Sequence, residues 1–358
     1  MRIAILNYAD VRNFGDVLFP LVIEKEIRAR LPAATIEFIT PTGDTWAGMF
    51  SRRLDRVQLE LFDALILGGG EIVHRFDSML LHIYRRYGLD SIDRPTDLVY
   101  AWTSAPVRYK AWLALGAPDP DDQVRQDIGS AAKNLNFVGA RGSRSAANIR
   151  SSCGASVEVR QTPDLGWLFP RLLERRSTLS NVDGHPYFTV QTLGFSDLGQ
   201  SVAALRAISR IYSLRVVLLP LTRCWRDVVP LKAAYDVGEG EFSLIDDWTL
   251  DIDKLAILGG ATFNIGQSMH GFIGSLSQCR PAGLCVAQRN DRFAELLEDS
   301  QLNHFRSTSW DSVETLAHTL VWSPLGAVLE LRAKYERELD KIFDAMCEQI
   351  MSGPEVRP

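Results

Sequence analysis

Short runs of apolar and β-branched residues alternate along the chain with longer segments in which apolar residues recur at helical spacing. In the first half, the runs predict strands at 2–8, 35–40, 64–69, 97–102, 136–141 and 157–164. Helical patterns lie between them at 19–31, 78–88, 124–135 and 143–154. This alternation is typical of a mostly parallel sheet with helices on both faces. We therefore expect an N-terminal, Rossmann-like, doubly wound domain over residues 1–175.

The alternation restarts after a polar, turn-rich segment at 171–186, which reads as a linker. Further strands are predicted at 187–193, 215–221, 242–246, 263–266 and 282–287, with helices between them. A second Rossmann-like domain is expected over 185–325, facing the first across a cleft. Residues 326–350 keep an apolar face at helical spacing, which predicts a C-terminal helix packed across a domain surface.

Composition places the chain among ordinary soluble proteins. Its 358 residues are 46% apolar and 23% charged, and the net charge is -5 with a pI near 5.8. No basic field favours nucleic acid, and no apolar run reaches the roughly 18 residues that span a bilayer. The N-terminus lacks a secretory signal pattern, so a cytoplasmic location is expected. The five cysteines are widely spaced, which indicates neither a disulfide framework nor a zinc site.

Ligands of open parallel sheets bind beyond the carboxyl ends of the strands, so the informative residues should cluster there. Asn13, Gly15 and Asp16 follow the first strand and precede a helix beginning near Val17. They could cap the helix and make the turn, or they could hold an anion at the helix N-terminus while Asp16 faces the ligand. Both interpretations remain open.

Three consecutive glycines, Gly68, Gly69 and Gly70, follow the third strand. Glycine permits positive φ and a close approach of backbone to ligand, although a tight structural turn has the same requirement. The stretch is neither a dinucleotide-binding G-x-G-x-x-G nor a P-loop, so a nicotinamide cofactor and nucleoside triphosphatase activity are not indicated.

Charged residues mark four other strand ends. Arg141 and Arg223 are candidate ligands for a carboxylate or phosphate, because the guanidinium fork matches both groups. Asp164 follows the strand at 157–164. His270 comes just after Ser268, where a helix N-terminus favours anions and an imidazole could donate a proton.

In chain order these elements resemble the polysaccharide pyruvyl transferase family. The motifs are N-F-G-D at 13–16, L-G-G-G-E-I-V at 67–73, A-R-G-S-R-S-A at 140–146, T-P-D-L-G-W-L at 162–168 and S-M-H-G-F-I-G at 268–274. The resemblance implies a GT-B-like fold and transfer of the enolpyruvyl carbons of phosphoenolpyruvate onto two sugar hydroxyls as a ketal. It implies phosphoenolpyruvate as a donor substrate, no other cofactor and no metal. The implied acceptor is a glycan or glycolipid precursor, and a lipid-linked acceptor would bring peripheral membrane association.

Under this hypothesis His270 protonates the methylene carbon and Asp16 accepts a proton from the attacking hydroxyl. Asn13, Gly15, the three glycines, Arg141, Asp164, Arg223 and Ser268 line the substrate. The family usually has arginine where this chain has Ser268, so Arg223 or Arg289 would take that role. Two alternatives remain: a GT-B-like glycosyltransferase using a nucleotide sugar, and a sugar- or anion-binding member without activity. The sequence leaves the acceptor sugar and the oligomeric state open.

Overall fold

The computed structural model describes residues 1–46, 48–73, 77–86, 97–173, 184–286 and 291–352. The chain divides into two units. Unit 1 comprises Met1–Leu165 together with Tyr335–Pro358, and unit 2 comprises Gly166–Lys334. The division falls at Leu165, ten residues before the end of the predicted first domain at 175, and unit 1 also takes the end of the chain. Most of the predicted linker, residues 174–183, lies outside the described residues.

Unit 1 contains a sheet of eight strands in the described ranges. The strands are β1 (Arg2–Leu6), β2 (Thr35–Thr40), β3 (Thr45–Trp46), β4 (Met49–Arg53), β5 (Ala64–Gly68), β6 (Tyr109–Leu115), β7 (Phe137–Arg141) and β8 (Val159–Thr162). Their order is β3-β4-β2-β1-β5-β6-β7-β8, and every pair is parallel except β3 with β4. The register pairs Ile5 with Phe38 on one side and with Ile66 on the other.

Helices connect the parallel strands of unit 1, as right-handed crossovers require. They are α1 (Phe14–Arg30), α2 (Asp77–Arg86), α3 (Asp97–Tyr100), α4 (Asp122–Ala132) and α5 (Gly142–Cys153). The side chains of β5 are buried along its whole length, because helices cover both faces of the sheet. This explains why its sequence is continuously apolar.

The strand predicted at 97–102 is wrong, since Asp97–Tyr100 is helical and Ala101–Ser104 is a 3-10 turn. Leu98, Val99 and Trp102 are buried at helical spacing, and a short apolar run cannot be assigned to a strand by periodicity alone. The strand at this point of the sheet is β6, which the sequence analysis did not predict. The other predicted strands of unit 1 are confirmed, the one at 35–40 with the same ends and the rest with shorter ends.

Unit 2 has a second parallel sheet, with six strands in the described ranges. They are β9 (Tyr187–Val190), β10 (Arg215–Leu218), β11 (Phe242–Leu244), β12 (Asn264–Gly266), β13 (Ala282–Cys285) and β14 (Arg306–Ser307), in the order β11-β10-β9-β12-β13-β14. Its helices are α6 (Leu198–Tyr212), α7 (Val228–Val237), α8 (Asp251–Gly260), α9 (Met269–Leu276), α10 (Asp291–Asp299) and α11 (Val313–Trp322). The prediction of a second doubly wound α/β sheet is confirmed.

The last helix, α12 (Gly326–Ser352), confirms the predicted C-terminal helix. Its residues up to Lys334 belong to unit 2 and those from Tyr335 onward to unit 1. In unit 1, Arg30 of α1 binds Asp340 at 3.1 Å and Asp344 at 2.6 Å. Phe343 and Ile350 are fully buried, so this part of the helix completes the core of unit 1.

No helix within the described ranges is long and apolar enough to cross a membrane.

Candidate active site

The strand order of unit 1 reverses between β1 and β5. From β1 the chain moves outward through β2, and it returns at β5 on the other side of β1 before continuing to β8. At such a reversal the loops beyond the carboxyl ends of the two strands separate and leave a crevice, which is the usual ligand site of an open α/β sheet. Functional groups are therefore expected in the segments that follow β1 and β5.

Asp16 lies in the first turn of α1, between the ends of β1 and β5. Asn13 occupies the N-cap position of α1, yet its side chain makes no capping bond; its Nδ2 donates instead to Oδ2 of Asp16 at 2.8 Å. On the other side, a Cβ added at Gly70 would lie 2.9 Å from Oδ1 of Asp16. The carboxylate is thus oriented by an amide and approached closely by glycine backbone. Gly15, next to it, is buried in the same turn.

Gly68 and Gly69 serve the packing of α1 against the sheet. A Cβ at Gly68 would lie 2.3 Å from Cδ1 of Ile23, and one at Gly69 would lie 2.2 Å from the ring of Phe19. Gly69 also has φ +75°, a conformation that side chains disfavour. The geometry of these two glycines fits the tight structural turn, whereas Gly70 faces the Asp16 carboxylate.

Arg141 and Asp164, at the ends of β7 and β8, form a buried ion pair. Nη1 of Arg141 donates to Oδ2 of Asp164 at 3.0 Å, and Nη2 lies 3.6 Å from Oε2 of Glu71. Gly116 leaves the space for the guanidinium, because a Cβ there would lie 2.9 Å from Nη2. The backbone of Gly116 also donates to the carbonyl of Gly70 at 2.8 Å. Hydrogen bonds and close contacts therefore connect the arginine to the loop that carries Gly70 and Glu71.

A second carboxyl group is buried behind this edge. Asp10 accepts hydrogen bonds from the backbone N–H of Thr42 at 3.0 Å and from the hydroxyl of Tyr84 at 3.1 Å. Burial raises the pKa of Asp10 to about 6, although these hydrogen bonds oppose the shift. The pKa of the Tyr84 hydroxyl is raised by its burial and then by the charge of Asp10. Through these two bonds Asp10 connects the loop after β2, at Thr42, with α2, at Tyr84.

In unit 2 the strand order reverses between β9 and β12. The segment after β12 leads directly into α9, which begins at Met269 and carries His270 in its first turn. His270 is 7% exposed. Ser268 is the N-cap of α9, since its Oγ accepts the backbone N–H of Gly271 at 3.1 Å. This capping serine therefore fixes the start of the helix that carries His270.

Two glutamines connect the loops after β9 and β12. Oε1 of Gln191 accepts the backbone N–H of Gln267 at 3.0 Å, while Oε1 of Gln267 accepts the backbone N–H of Leu193 at 2.7 Å. The Nε2 of Gln191 donates to Oδ2 of Asp227 at 2.9 Å. Asp227 is fully buried and also accepts the backbone N–H groups of Leu221 and Thr222 after β10. These bonds hold three neighbouring strand-end loops of unit 2 in one arrangement.

Arg223 lies further along the same edge, in the turn after β10. It binds the backbone carbonyl of Asp247, its Nε lies 3.3 Å from Oδ2 of that residue, and its guanidinium stacks over the Trp248 ring at 4.4 Å. Nζ of the buried Lys254 donates to the same carbonyl at 3.1 Å. Burial lowers the pKa of Lys254, an effect that the nearby Asp251 and Asp247 oppose. The contacts of Arg223 thus join it to the loop after β11.

The structure brings Asn13, Asp16, Gly70, Arg141 and Asp164 to one edge of unit 1, and it places Ser268, His270 and Arg223 on one edge of unit 2. Arg289 lies outside the described residues. The sequence analysis missed Glu71, Gln191 and Gln267. Both glutamines directly follow a strand, so the expectation that functional residues lie beyond strand ends could have found them. Gln191 was hidden because the strand predicted at 187–193 extends past it. Among the described residues, no group of three or more His, Cys, Asp and Glu side chains could hold a metal ion.

A family model of polysaccharide pyruvyl transferases matches residues 13–287, well over half of the chain. The protein belongs to the polysaccharide pyruvyl transferase family. As a polysaccharide pyruvyl transferase family member it is a transferase, and the matched range includes Asp16, Arg141, Asp164 and His270. No curated protein matches the sequence of this pyruvyl transferase family member at a significant level.

Several solved structures resemble this family member in fold. The UDP-GlcNAc 2-epimerase of Methanocaldococcus jannaschii in complex with UDP-GlcNAc and UDP gives a TM-score of 0.55 at 8% identity, covering 91% of this chain and 94% of the epimerase. A putative UDP-N-acetylglucosamine 2-epimerase from Listeria monocytogenes gives 0.57 at 10% identity, covering 98% and 94%. The H444N variant of the wall teichoic acid polymerase TagF gives 0.52 at 8% identity, covering 98% and 88%. These likenesses confirm the GT-B-like fold.

Proposed function

We propose that the protein transfers the enolpyruvyl group of phosphoenolpyruvate onto two hydroxyls of a sugar, forming a pyruvate ketal and releasing phosphate. The acceptor is a glycan or glycolipid precursor of a polysaccharide. One observation carries the proposal: in a chain of this family, His270 occupies the first turn of α9 beyond the carboxyl end of β12, where the strand order of unit 2 reverses. A helix N-terminus at that place favours an anionic substrate.

His270 supplies the first proton. As imidazolium it protonates the methylene carbon of phosphoenolpyruvate, which becomes a methyl group and leaves positive charge on the adjacent carbon. Burial of the ring keeps competing bulk water from the proton donor, and the cap at Ser268 fixes the turn that carries the ring.

Asp16 accepts the proton of the first attacking hydroxyl, whose oxygen bonds to the cationic carbon. The bond from that carbon to the phosphate oxygen then breaks, and the second hydroxyl oxygen takes its place. Of the two protons that the hydroxyls release, one replaces the proton that His270 gave and the other leaves with phosphate. The hydrogen bond from Asn13 and the close backbone of Gly70 orient the Asp16 carboxylate for this role.

We assign the binding of a donor oxygen anion to Nη2 of Arg141. Gly116 leaves space beside this nitrogen, and the guanidinium fork matches the oxygens of a carboxylate or phosphate. Asp164 holds the other guanidinium nitrogen and keeps the fork in place. Arg223 is bonded to Asp247 and stacked on Trp248, so we give it a supporting role in its loop.

The test is phosphate release from phosphoenolpyruvate in the presence of candidate glycosyl acceptors, with the ketal product identified by mass spectrometry. His270→Gln keeps the size of the side chain and removes the acid, so turnover should fall by about 100-fold or more. His318→Gln is the matched control, because His318 is an exposed histidine of the same unit. Turnover of His270→Gln at the wild-type rate would remove His270 from the chemistry.

A thermal-shift series separates this activity from glycosyl transfer. Stabilisation by phosphoenolpyruvate but not by nucleotide sugars is expected. Stabilisation by nucleotide sugars alone, with no phosphate release for any acceptor, would favour the glycosyltransferase alternative.

A further inference from the structure

The side chains of Gln191 and Gln267 bind each other's loops. Gln191 follows β9 and accepts a backbone N–H from the loop after β12, whereas Gln267 follows β12 and accepts one from the loop after β9. Oε1 of Gln267 also lies 3.1 Å from the hydroxyl of Thr192, which donates to it. The two amides thus form a reciprocal clamp across the strand-order reversal of unit 2, and we call this pair the glutamine clamp.

Asp227 sets the orientation of the clamp. An amide has a donor on one side and an acceptor on the other, so the partner of one side decides where the other side points. Oδ2 of Asp227 takes Nε2 of Gln191, and Oε1 is therefore directed at the backbone N–H of Gln267. Because Asp227 is fully buried and also holds Leu221 N and Thr222 N at 2.7 and 2.9 Å, this anchor is fixed to the loop after β10.

The clamp acts close to His270 along the chain. Gly266 packs against Gln191, since a Cβ there would lie 3.1 Å from its carbonyl oxygen and 3.3 Å from Oε1. Gln267 comes next, then the capping Ser268, and His270 follows two residues later in the first turn of α9. The hydrogen bonds that fix residue 267 thereby fix the entry of the helix that carries the imidazole.

We propose that Gln191 and Gln267 are positioning residues for His270, with Asp227 as the anchor that orients Gln191. The proposal rests on the proposed function for its kinetic consequence, because His270 is the proton donor there. Neither glutamine needs to touch the substrate. Their role is to hold the imidazole at the place where the methylene carbon is protonated, and a displacement of about 1 Å at a reacting group can cost about 100-fold in rate.

The experiment replaces each glutamine by methionine, which has a similar length and volume but lacks the amide. In Gln191→Met and Gln267→Met, kcat for phosphate release from phosphoenolpyruvate should fall by about 10- to 100-fold while KM changes by less than about threefold. The Cε1–H resonance of His270, assigned through its loss in His270→Gln, should shift or broaden in both variants. Gln267 is half-buried and Gln191 is buried, so Gln267→Met can still be measured if Gln191→Met does not fold.

Gln278→Met is the matched control, because Gln278 lies just beyond the other end of α9. Its Nε2 donates to the carbonyls of Leu255 and Gly274 at 2.8 and 2.9 Å, so the variant also loses two hydrogen bonds. It should keep the wild-type kcat and the wild-type His270 resonance. Clamp variants with unchanged kcat and an unchanged His270 resonance would overturn the inference while leaving the proposed function intact.

The experiment also tests the glutamine clamp if the proposed function itself is wrong. If wild-type protein releases no phosphate from phosphoenolpyruvate with any acceptor, the proposed function fails, and the His270 resonance alone then decides the clamp. A resonance that moves in the clamp variants and not in Gln278→Met supports positioning of the ring. One that moves equally in all three variants overturns it, since loss of any buried hydrogen bond near α9 would then have the same effect.

Discussion

Arg141 and Asp164 meet at the ends of adjacent strands, with Nη1 and Oδ2 3.0 Å apart and both side chains buried. Removing one member of a buried ion pair leaves the other charge without its compensation, which costs several kcal/mol. We expect Asp164→Ala to lower the free energy of unfolding of unit 1 by about 3 kcal/mol. Hydrogen exchange of the β7 and β8 amides in urea measures this loss.

The exposed pair of Arg144 and Asp119 provides the control for that prediction. Asp119→Ala should change the stability by less than about 1 kcal/mol, because exposed ion pairs are weak. Equal losses for Asp164→Ala and Asp119→Ala would show that burial of the Arg141 pair does not matter.

Asp10 should make the stability of unit 1 depend on pH. Its pKa rises from 3.8 to about 6 on folding, so the folded protein binds this proton more tightly than the unfolded chain. Stability from this group is therefore highest below pH 4 and falls as pH rises toward about 6, by about 3 kcal/mol in total. In Asp10→Asn this component is absent, so the variant should gain stability relative to wild type between pH 4 and pH 7. Urea unfolding midpoints of both proteins at pH 4 and pH 7 test this gain. A difference in midpoint that is the same at both pH values would contradict the prediction.

Alanine substitutions at Gly70 and Gly48 can separate the effect of backbone strain from the effect of a contact with Asp16. Both have positive φ, +88° and +78°, but a Cβ at Gly70 meets Asp16 whereas a Cβ at Gly48 meets nothing within 4 Å. Each alanine variant should lose about 1 kcal/mol from backbone strain. Only Gly70→Ala should also lose turnover, because the methyl group displaces the Asp16 carboxylate. The measurement is the rate of phosphate release from phosphoenolpyruvate by the two variants. Equal rates would show that Gly70 does not affect the Asp16 carboxylate.

Ser268 should contribute to stability as a helix cap. Ser268→Ala removes the acceptor of the Gly271 N–H and should cost about 1 kcal/mol, whereas Ser268→Asn should restore most of it. The arginine side chain cannot accept this hydrogen bond, so Ser268→Arg should lose the same amount. Thermal unfolding of the three variants measures the series. An arginine variant as stable as wild type would show that the cap is dispensable.

Several candidate site residues could be placed at strand ends from the sequence, because parallel strands expose their carboxyl ends at one edge. Asp16, Arg141, Asp164, Ser268 and His270 could be placed at strand ends from the apolar runs that precede them. The pairing of Arg141 with Asp164 requires β7 and β8 to be neighbours, and strand order is not visible in periodicity. For the same reason, the sequence could not show that Phe19 and Ile23 of α1 occupy the space at Gly69 and Gly68.

The sequence pattern does not separate the segments 97–102 and 109–115, since both are short and apolar. The first begins with a helix, whereas the second is the strand β6. Lys110 interrupts the second run, yet its ammonium donates to the carbonyls of Thr103 and Ala105 and so fits a buried strand. Only the tertiary hydrogen bonds distinguish the two segments.

Unit 1 is assembled from two segments of the chain, one before and one after unit 2. Phe343, Met346 and Ile350 of α12 are buried in it, and Arg30 holds the helix through Asp340 and Asp344. A ribosome has therefore made all of unit 2 before unit 1 can be finished. An early stop codon anywhere in unit 2 would therefore leave unit 1 without the buried side chains that α12 supplies.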